Sequence, residues 1–182
     1  MKKAPNGLNT RIFGVIIALV ITFVIFGILE PVFLTFDIVL EIGVQSAIIA
    51  LVALGLTFVI VTGGIDISVG AIVGLTAVIC ATNLANWGTF ITIVMAFVIS
   101  ALLGLFNGAM SALFNLQSFV VTLATLNLFR GIAFVYTQGR PIYNLDEGFR
   151  NFFSGDVGPI PKPVLFLIAA TFAAYLILNK SR

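Results

Sequence analysis

The residues best placed to do chemistry in this 182-residue chain lie in a glycine-rich break between two long apolar runs. Gly63, Gly64, Asp66 and Ser68 fall there without any ordinary polar loop around them. Glycines allow backbone angles that are closed to other residues, and aspartate or serine can cap a following helix and interact with its dipole. Two interpretations stay open: a capped turn at a helix start, or a broken, re-entrant segment that lines a polar path.

A second unusual residue, Arg130, lies well inside the apolar stretch 119–136, with Asn127 near the same side and Thr122 in a separate polar stripe. An arginine at the centre of a membrane span costs about 2.5–3.5 kcal/mol on insertion scales, so we expect it to face protein or a water-filled path. Asp66 could reach it only if the glycine-rich break dips into the membrane. Contact with a solute and anchoring to backbone carbonyls are both open for Arg130.

Several enzyme classes are excluded by what the sequence lacks. The chain has no histidine, so a serine–histidine pair is impossible. Asp66 is the one acid inside the apolar spans, whereas an intramembrane aspartyl protease needs two facing carboxylates. A G-x-x-x-x-G-K-[ST] sequence for nucleotide phosphates is also missing. We therefore predict no catalytic activity, no metal site and no cofactor on this chain; if ATP drives it, another subunit must bind the ATP.

Composition places most of the chain in lipid. Hydrophobic residues make up 60% of the chain and charged residues 9%, whereas a soluble domain carries about 25% charged residues. The net charge of +2 is too small, and too concentrated at segment ends, to indicate nucleic acid. With Cys80 as the one cysteine, no intramolecular disulfide can form.

The apolar runs predict an all-α, polytopic transmembrane helical bundle in a single domain, residues 1–182. A membrane helix needs about 20 mostly apolar residues, within a range of roughly 17–25. Six spans are predicted, at residues 12–29, 44–62, 69–85, 90–107, 119–136 and 164–178. The first run is longer than a signal-peptide core and lacks a small-residue cleavage site, so we expect a retained span.

Orientation is predicted from the basic residues. Lys2, Lys3 and Arg11 precede the first span, whereas Glu30, Asp37 and Glu41 follow it. Cytoplasmic loops carry an excess of lysine and arginine. Six crossings return the C-terminus, with Lys180 and Arg182, to the starting side, so both termini are predicted to be cytoplasmic. The segment 138–163 then lies outside, although its Arg140, Arg150 and Lys162 weigh against this orientation.

Small residues recur at helix-packing spacing in two spans. Gly70 and Gly74 lie on one face of the third span, and Gly104 and Gly108 on one face of the fourth. Small faces let helix backbones approach closely in a membrane, where no hydrophobic effect drives helices together. We expect tight packing within the bundle, with a homodimer seam as the alternative.

Segment 53–70 reads A-L-G-L-T-F-V-I-V-T-G-G-I-D-I-S-V-G. It resembles the signature of the permease subunits of ribose-type sugar ATP-binding cassette (ABC) importers, typically G-M-T-x-V-I-x-T-G-G-I-D-L-S-V-G. Two further matches follow in the family's order: G-L-F-N-G at 104–108, then F-V-V-T-L at 119–123 with Arg130-Gly131, and Y-T-Q-G-R-P-I at 136–142.

The resemblance implies a permease subunit of an ATP-driven importer that carries a monosaccharide, ribose or a similar sugar, across the inner membrane. It implies three partners besides the lipid bilayer: a second permease subunit, a cytoplasmic ATPase subunit and a periplasmic sugar-binding protein. Members of this family continue beyond six helices, so we expect the chain to be the N-terminal part of a longer domain. We also expect that this chain does not transport by itself.

Two alternatives to an importer subunit remain. A stand-alone channel or facilitator for a small polar solute would produce flux without an ATPase. A structural membrane-assembly subunit would produce none.

Overall fold

The computed structural model describes residues 6–143, 145–158 and 160–180. Its helices are α1 (Asn6–Leu29), a short 3-10 helix (Pro31–Leu34), α2 (Phe36–Val61), α3 (Val69–Leu113), α4 (Ser118–Thr137), α5 (Glu147–Phe153) and α6 (Lys162–Lys180). Two-residue strands, β1 (Asp156–Val157) and β2 (Ile160–Pro161), form an antiparallel pair. The prediction of an all-α, polytopic helical fold is confirmed.

Five helices in the described part are long and apolar enough to cross a membrane, and one of them, α3, counts as two crossings. Its 45 residues would extend about 68 Å at 1.5 Å per residue, more than twice the hydrocarbon core of roughly 30 Å. The helix is broken at Gly88, whose backbone is non-helical (φ 72°, ψ 168°).

Contacts between the two halves of α3 show that it folds back on itself. The Oγ1 of Thr76 lies 3.1 Å from the Oγ of Ser100, and the Cys80 thiol donates to the carbonyl of Thr92 at 3.7 Å. Residue numbers rise on one side as they fall on the other, which is the register of an antiparallel pair. The two halves, 69–87 and 89–113, correspond to the predicted third and fourth spans.

A helix begins earlier than its predicted span where its first residues include charged side chains. The second span was predicted from residue 44, yet α2 begins at Phe36 and takes in Asp37 and Glu41. An acid in the first turn interacts favourably with the helix dipole, so Asp37 suits its position. Hydropathy marks the apolar part of a helix and not its capped end.

The chain forms two compact units, residues 1–46 and 47–182. In the first, the 3-10 helix packs on α1: the ring of Phe33 lies 5.2 Å from that of Phe23 and 5.6 Å from that of Phe26. A Cβ on Gly27 would lie 2.7 Å from a methyl carbon of Leu34, so a larger residue here would displace the Leu34 side chain. The prediction of a single domain stays a prediction.

The core of the second unit lies between α3 and α4. Ala71, Ile72, Leu75 and Phe129 are buried together there. Large apolar side chains elsewhere are exposed; Phe90, for example, is 78% exposed. Such a surface suits a chain whose solvent is lipid and whose faces meet other helices.

The predicted loop 138–163 contains structure too short for hydropathy to detect. Asp146 caps α5 by accepting a hydrogen bond from the N–H of Phe149 at 3.2 Å. The ammonium of Lys162 donates to the carbonyls of Asn151 and Ser154 near the end of α5. A cation suits this end of a helix dipole.

Which side of the membrane this segment faces stays a prediction. The terminal residues Lys2, Lys3 and Arg182 that argued for the orientation lie outside the described residues, as does the side chain of Arg11.

Candidate functional site

Helix α2 ends in a paired backbone motif that requires a glycine. The N–H of Gly63 donates to the carbonyl of Ile60 at 2.9 Å, and the N–H of Gly64 donates to that of Val59 at 3.0 Å. This pair of bonds is the Schellman C-cap, in which the residue after the helix adopts a left-handed conformation. Gly63 has a φ of +80°, which glycine adopts at no steric cost.

Gly64 is needed for a different reason. A Cβ at this position would lie 3.1 Å from the Cγ1 of Val59 and 3.4 Å from the Oγ of Ser118 on α4. Its φ is not positive. The expectation that both glycines supply unusual backbone angles therefore holds for Gly63 alone, and Gly64 allows the chain to approach α4 closely.

After the two glycines, the chain is held by hydroxyl side chains on α4. The N–H of Ile65 donates to the Oγ of Ser118 at 2.9 Å. The N–H of Ile67 donates to the Oγ1 of Thr122 at 3.3 Å, and that hydroxyl lies 3.3 Å from the carbonyl of Ile65. Non-helical backbone at membrane depth must find such partners, because lipid offers none.

Asp66 and Ser68 form a closed turn that leads into α3. One carboxylate oxygen of Asp66, Oδ1, accepts from the N–H of Ser68 at 2.8 Å and from its hydroxyl at 2.7 Å. Ser68 is fully buried and makes no side-chain capping bond to α3. The expectation that Ser68 caps the helix through its side chain is therefore wrong, because its backbone (φ −84°, ψ −9°) is already helical and not in the extended conformation from which an N-cap side chain accepts.

A buried asparagine faces this turn from the second half of α3. Asn107 is 5% exposed, and its Nδ2 donates to the Oγ of Ser68 at 2.8 Å. Since Ser68 spends its hydrogen on Asp66, the amide must present its NH₂ group to Ser68. The Oδ1 of Asn107 is thereby left without a hydrogen-bond partner in the described structure.

The break lies inward from the ends of the helices around it. Asn107 precedes the end of α3 at Leu113 by six residues, or about 9 Å, and Thr122 follows the start of α4 by about 6 Å. The two interpretations of the break, a capped turn at a helix start and a re-entrant segment that lines a polar path, both stay predictions.

These elements line a partly open cavity of about 560 Å³. Its polar lining consists of Thr62, Asp66, Asn107, Ser111, Ser118 and Thr122. Gly63, Gly64, Gly104 and Gly108 form part of the wall. The structure thus brings together the predicted site residues Gly63, Gly64, Asp66 and Thr122, with Ser68 directly behind Asp66.

Asn107 lines the cavity and was not among the predicted site residues. It was visible as the asparagine of G-L-F-N-G in an apolar span, a position where an amide must find a buried partner. The sequence alone does not say that this partner is Ser68.

The other two predicted site residues lie elsewhere. Asn127 is exposed, donates to the carbonyl of Leu123 at 3.0 Å and lines a separate, mainly apolar cavity of about 510 Å³. Arg130 is also exposed, about 12 Å along α4 from Thr122 at eight residues. The hydrogen bonds of Asp66 go to Ser68, so the expected separation of Asp66 from Arg130 is found.

The predicted helix-packing glycines have no close neighbours in the described residues. A Cβ on Gly70, Gly74, Gly104 or Gly108 would meet nothing within 4 Å. The expected tight packing at these positions is not met within the described chain, because α3 packs on α4 through larger side chains such as Leu75. Packing against helices beyond the described residues stays a prediction.

A bundle of apolar spanning helices with a polar cavity at a helix break is the architecture of a membrane transport subunit. The polar groups are concentrated where the backbone is irregular, and lipid-facing surfaces are apolar. This chain is a multi-pass protein of the inner membrane.

The chain belongs to the family described as the branched-chain amino acid transport system / permease component, which matches residues 38–182. It is 38% identical over 169 residues to the ribose import permease protein of Haemophilus influenzae, covering 90% of this chain and 52% of that relative. It is 34% identical over 173 residues to the D-allose transport system permease protein of Escherichia coli, covering 93% and 53%.

An autoinducer 2 import system permease protein of an Enterobacter species is 33% identical over 165 residues, covering 88% of this chain and 48% of that relative. The chain thus spans about half the length of the curated relatives it matches. No solved structure matches it. The relatives named here are permease components of transport systems.

Proposed function

We propose that this chain is a permease subunit of an ATP-driven importer and forms part of the path of a monosaccharide, ribose or a similar sugar. The observation that carries the proposal is the polar cavity at the glycine-rich break. Its volume of about 560 Å³ lies within the roughly 300–1,000 Å³ typical of small-molecule sites. The names of the relatives, ribose and allose permeases, support a sugar as the solute.

The cavity suits a path because it supplies hydrogen bonds inside an apolar bundle. A polar solute that leaves water loses its hydrogen bonds, at a cost of roughly 2–7 kcal/mol for each unpaired group. Side chains such as Ser111 and Asp66 line the cavity and can replace some of those bonds. The glycines of the wall carry no side chain that blocks the solute.

Energy for uphill import must come from partners in this proposal. The sequence holds no nucleotide-binding motif, so ATP is bound by a cytoplasmic ATPase subunit and this chain has no enzymatic activity and carries no cofactor. A periplasmic sugar-binding protein delivers the solute, and a second permease subunit completes the path.

The exposed face of α4 supports a partner inside the membrane. Arg130 lies well inside α4 and is exposed in the described chain. Lipid contact at the centre of a span would cost about 2.5–3.5 kcal/mol, so this face meets another permease subunit, further helices or the water-filled path. Asn127 lies on the same face of α4 and would meet the same neighbour as Arg130.

The test is uptake of radiolabelled ribose and allose into vesicles that contain the chain within its complete transport system, that is, with the second permease subunit, the rest of the permease domain, the ATPase and the sugar-binding protein. We expect uptake that requires ATP and stops when the ATPase is omitted. Sugar uptake without ATP would support the facilitator instead. Uptake of leucine in preference to either sugar would contradict the proposed solute.

A further inference from the structure

A groove of about 440 Å³ lies between the first half of α3 and the end of α4, away from the glycine-rich break. The lining on the two helices is mainly small and apolar and consists of Ala77, Val78, Ala81, Ala133, Phe134 and Thr137. The hydroxyl of Thr137 is already bonded, because it donates to the carbonyl of Ala133 at 3.0 Å. The helical part of the groove therefore offers a ligand mainly apolar contact.

The segment after α4 turns back at one end of this groove. The N–H of Gly139 donates to the carbonyl of Phe134 at 2.9 Å. A Cβ on Gly139 would lie 3.0 Å from the ring of Phe134, and its φ is +69°, so glycine allows the chain to turn here. The next residue, Arg140, lines the groove. The segment Y-T-Q-G-R-P-I at 136–142 thus ends α4 and brings a cation to the end of the groove.

Arg140 gives the groove a positive charge that no acid in its described lining balances. It is the one charged side chain of that lining, and it is exposed. The first acid after it in the chain, Asp146, accepts from the N–H of Phe149 as the cap of α5. A guanidinium presents its N–H donors in a planar fork that matches the oxygens of a phosphate. The groove therefore combines an apolar surface with a group that binds anions.

The groove extends over about half of the membrane thickness. On α3 its lining reaches from Ala81 to Ala77, which lies eleven residues before the turn at Gly88, or about 16 Å at 1.5 Å per residue. The hydrocarbon core is roughly 30 Å thick, so the groove ends near the midplane. A spanning helix would need a contact surface along the whole thickness. A phospholipid instead occupies one leaflet and carries its phosphate at the membrane surface.

We propose that this groove binds an anionic phospholipid, with an acyl chain between α3 and α4 and the headgroup phosphate on Arg140. Basic residues at the ends of spans attract anionic headgroups. An anionic headgroup such as that of phosphatidylglycerol is favoured, because a zwitterionic one would bring an ammonium group close to the guanidinium. The site does not depend on the transported solute or on which membrane surface the Gly88 turn faces, since both leaflets consist of phospholipid.

The experiment measures lipid binding to the chain within its complete transport system, purified in detergent and freed of lipid. Native mass spectrometry follows the binding of phosphatidylglycerol and of phosphatidylethanolamine with the same acyl chains. We expect phosphatidylglycerol to bind more tightly. Arg140→Gln should weaken its binding roughly tenfold, the loss expected for a hydrogen bond to a charged group. The control is Arg150→Gln, at an exposed arginine outside the groove lining, which should leave binding unchanged.

A second pair of variants tests the apolar part of the groove. Ala77→Phe fills its deep end at an exposed helical position. The control, Ala85→Phe, makes the same change at an exposed position of the same half of α3, outside the lining. We expect Ala77→Phe to remove one bound phosphatidylglycerol for each copy of the chain, and Ala85→Phe to remove none.

Three results would overturn the lipid site. The first is equal binding of the two phospholipids, which would contradict the role of charge. The second is unchanged binding of phosphatidylglycerol to either Arg140→Gln or Ala77→Phe. The third is loss of assembly with the other transport subunits in Ala77→Phe but not in Ala85→Phe, which would show that a protein helix fills the groove.

Discussion

Two of the interruptions between helices, at Gly63 and at Gly88, share a glycine with positive φ and differ in almost everything else. At Gly88 (φ 72°) the break is a single residue, and the hydroxyl of Thr92 donates to its carbonyl at 2.8 Å. At Gly63 (φ 80°) the chain stays non-helical until α3 begins at Val69. Its N–H groups are then satisfied by side chains of another helix, such as Ser118.

The difference shows that a glycine break alone does not make a site. At Gly88 one hydroxyl from the next turn is the side chain that completes the reversal. At the longer break several backbone groups need partners, so hydroxyl residues collect on α4 and an amide on α3. These groups are the lining of the cavity.

The largest expected effect concerns the membrane side of each break. The predicted topology places the Gly88 turn outside and the longer break toward the cytoplasm. In a Cys80→Ser background, Asn86→Cys should react with an impermeant maleimide from the periplasmic side. Gln117→Cys, exposed between α3 and α4, should react only after the membrane is permeabilised. The reverse pattern would invert the topology.

Asp66→Asn, a change at the longer break, should lower sugar uptake. Asparagine caps a helix almost as well as aspartate, so insertion should be preserved. Loss of hydrogen bonds to a charged group, each about 1.5–3 kcal/mol, should lower sugar uptake roughly tenfold to hundredfold. Asp146→Asn is the matched control, since Asp146 caps α5 away from the cavity. Near-normal uptake by Asp66→Asn would reduce Asp66 to a cap.

Alanine at Gly88 should reduce stability more than alanine at Gly63, whereas alanine at Gly63 should reduce sugar uptake more. Gly88, at φ 72° and ψ 168°, lies in a region that is essentially closed to other residues and costs about 1–3 kcal/mol. Gly63→Ala should cost less, about 1–2 kcal/mol for a left-handed residue. The melting temperature in detergent should therefore fall more for Gly88→Ala, while sugar uptake should fall more for Gly63→Ala. A helical position in open space, Gly14→Ala, is the control.

Losses of stability of a similar size are expected for the hydroxyls that complete each break. Thr122→Val leaves the N–H of Ile67 without its partner and should destabilise the protein by about 1–3 kcal/mol. Thr92→Val removes a bond to a carbonyl and should cost about 0.5–1.5 kcal/mol. Thermal unfolding of both variants measures the difference. An equal loss would mean that the longer break does not depend on α4.

Much of the fold could be predicted because hydropathy and helix length are local properties. The spans and the glycine-rich break follow from runs of residue types. The reversal at Gly88 is harder to predict, because a lone glycine in an apolar run is compatible with a continuous helix. Helix α5 has only seven residues, too few for a hydropathy window.

The site was predicted less completely because it depends on which faces of different helices meet. Thr122 and Asn127 are five residues apart, which at 3.6 residues per turn places them about 140° apart around α4. One therefore faces the cavity and the other does not. The contact of Asn107 with Ser68 spans 39 residues and depends on the register of the α3 reversal.

The hydrogen bonds between the break and α4 have a mechanical consequence. Each is a single contact from a backbone N–H to a hydroxyl, such as Ile65 to Ser118, and none belongs to the internal ladder of a helix. Detaching the segment therefore unwinds no helix, and each N–H that is released without a new partner costs about 1–3 kcal/mol. The free energy needed to detach this segment from α4 is therefore set by the number of hydroxyl side chains on one face of that helix.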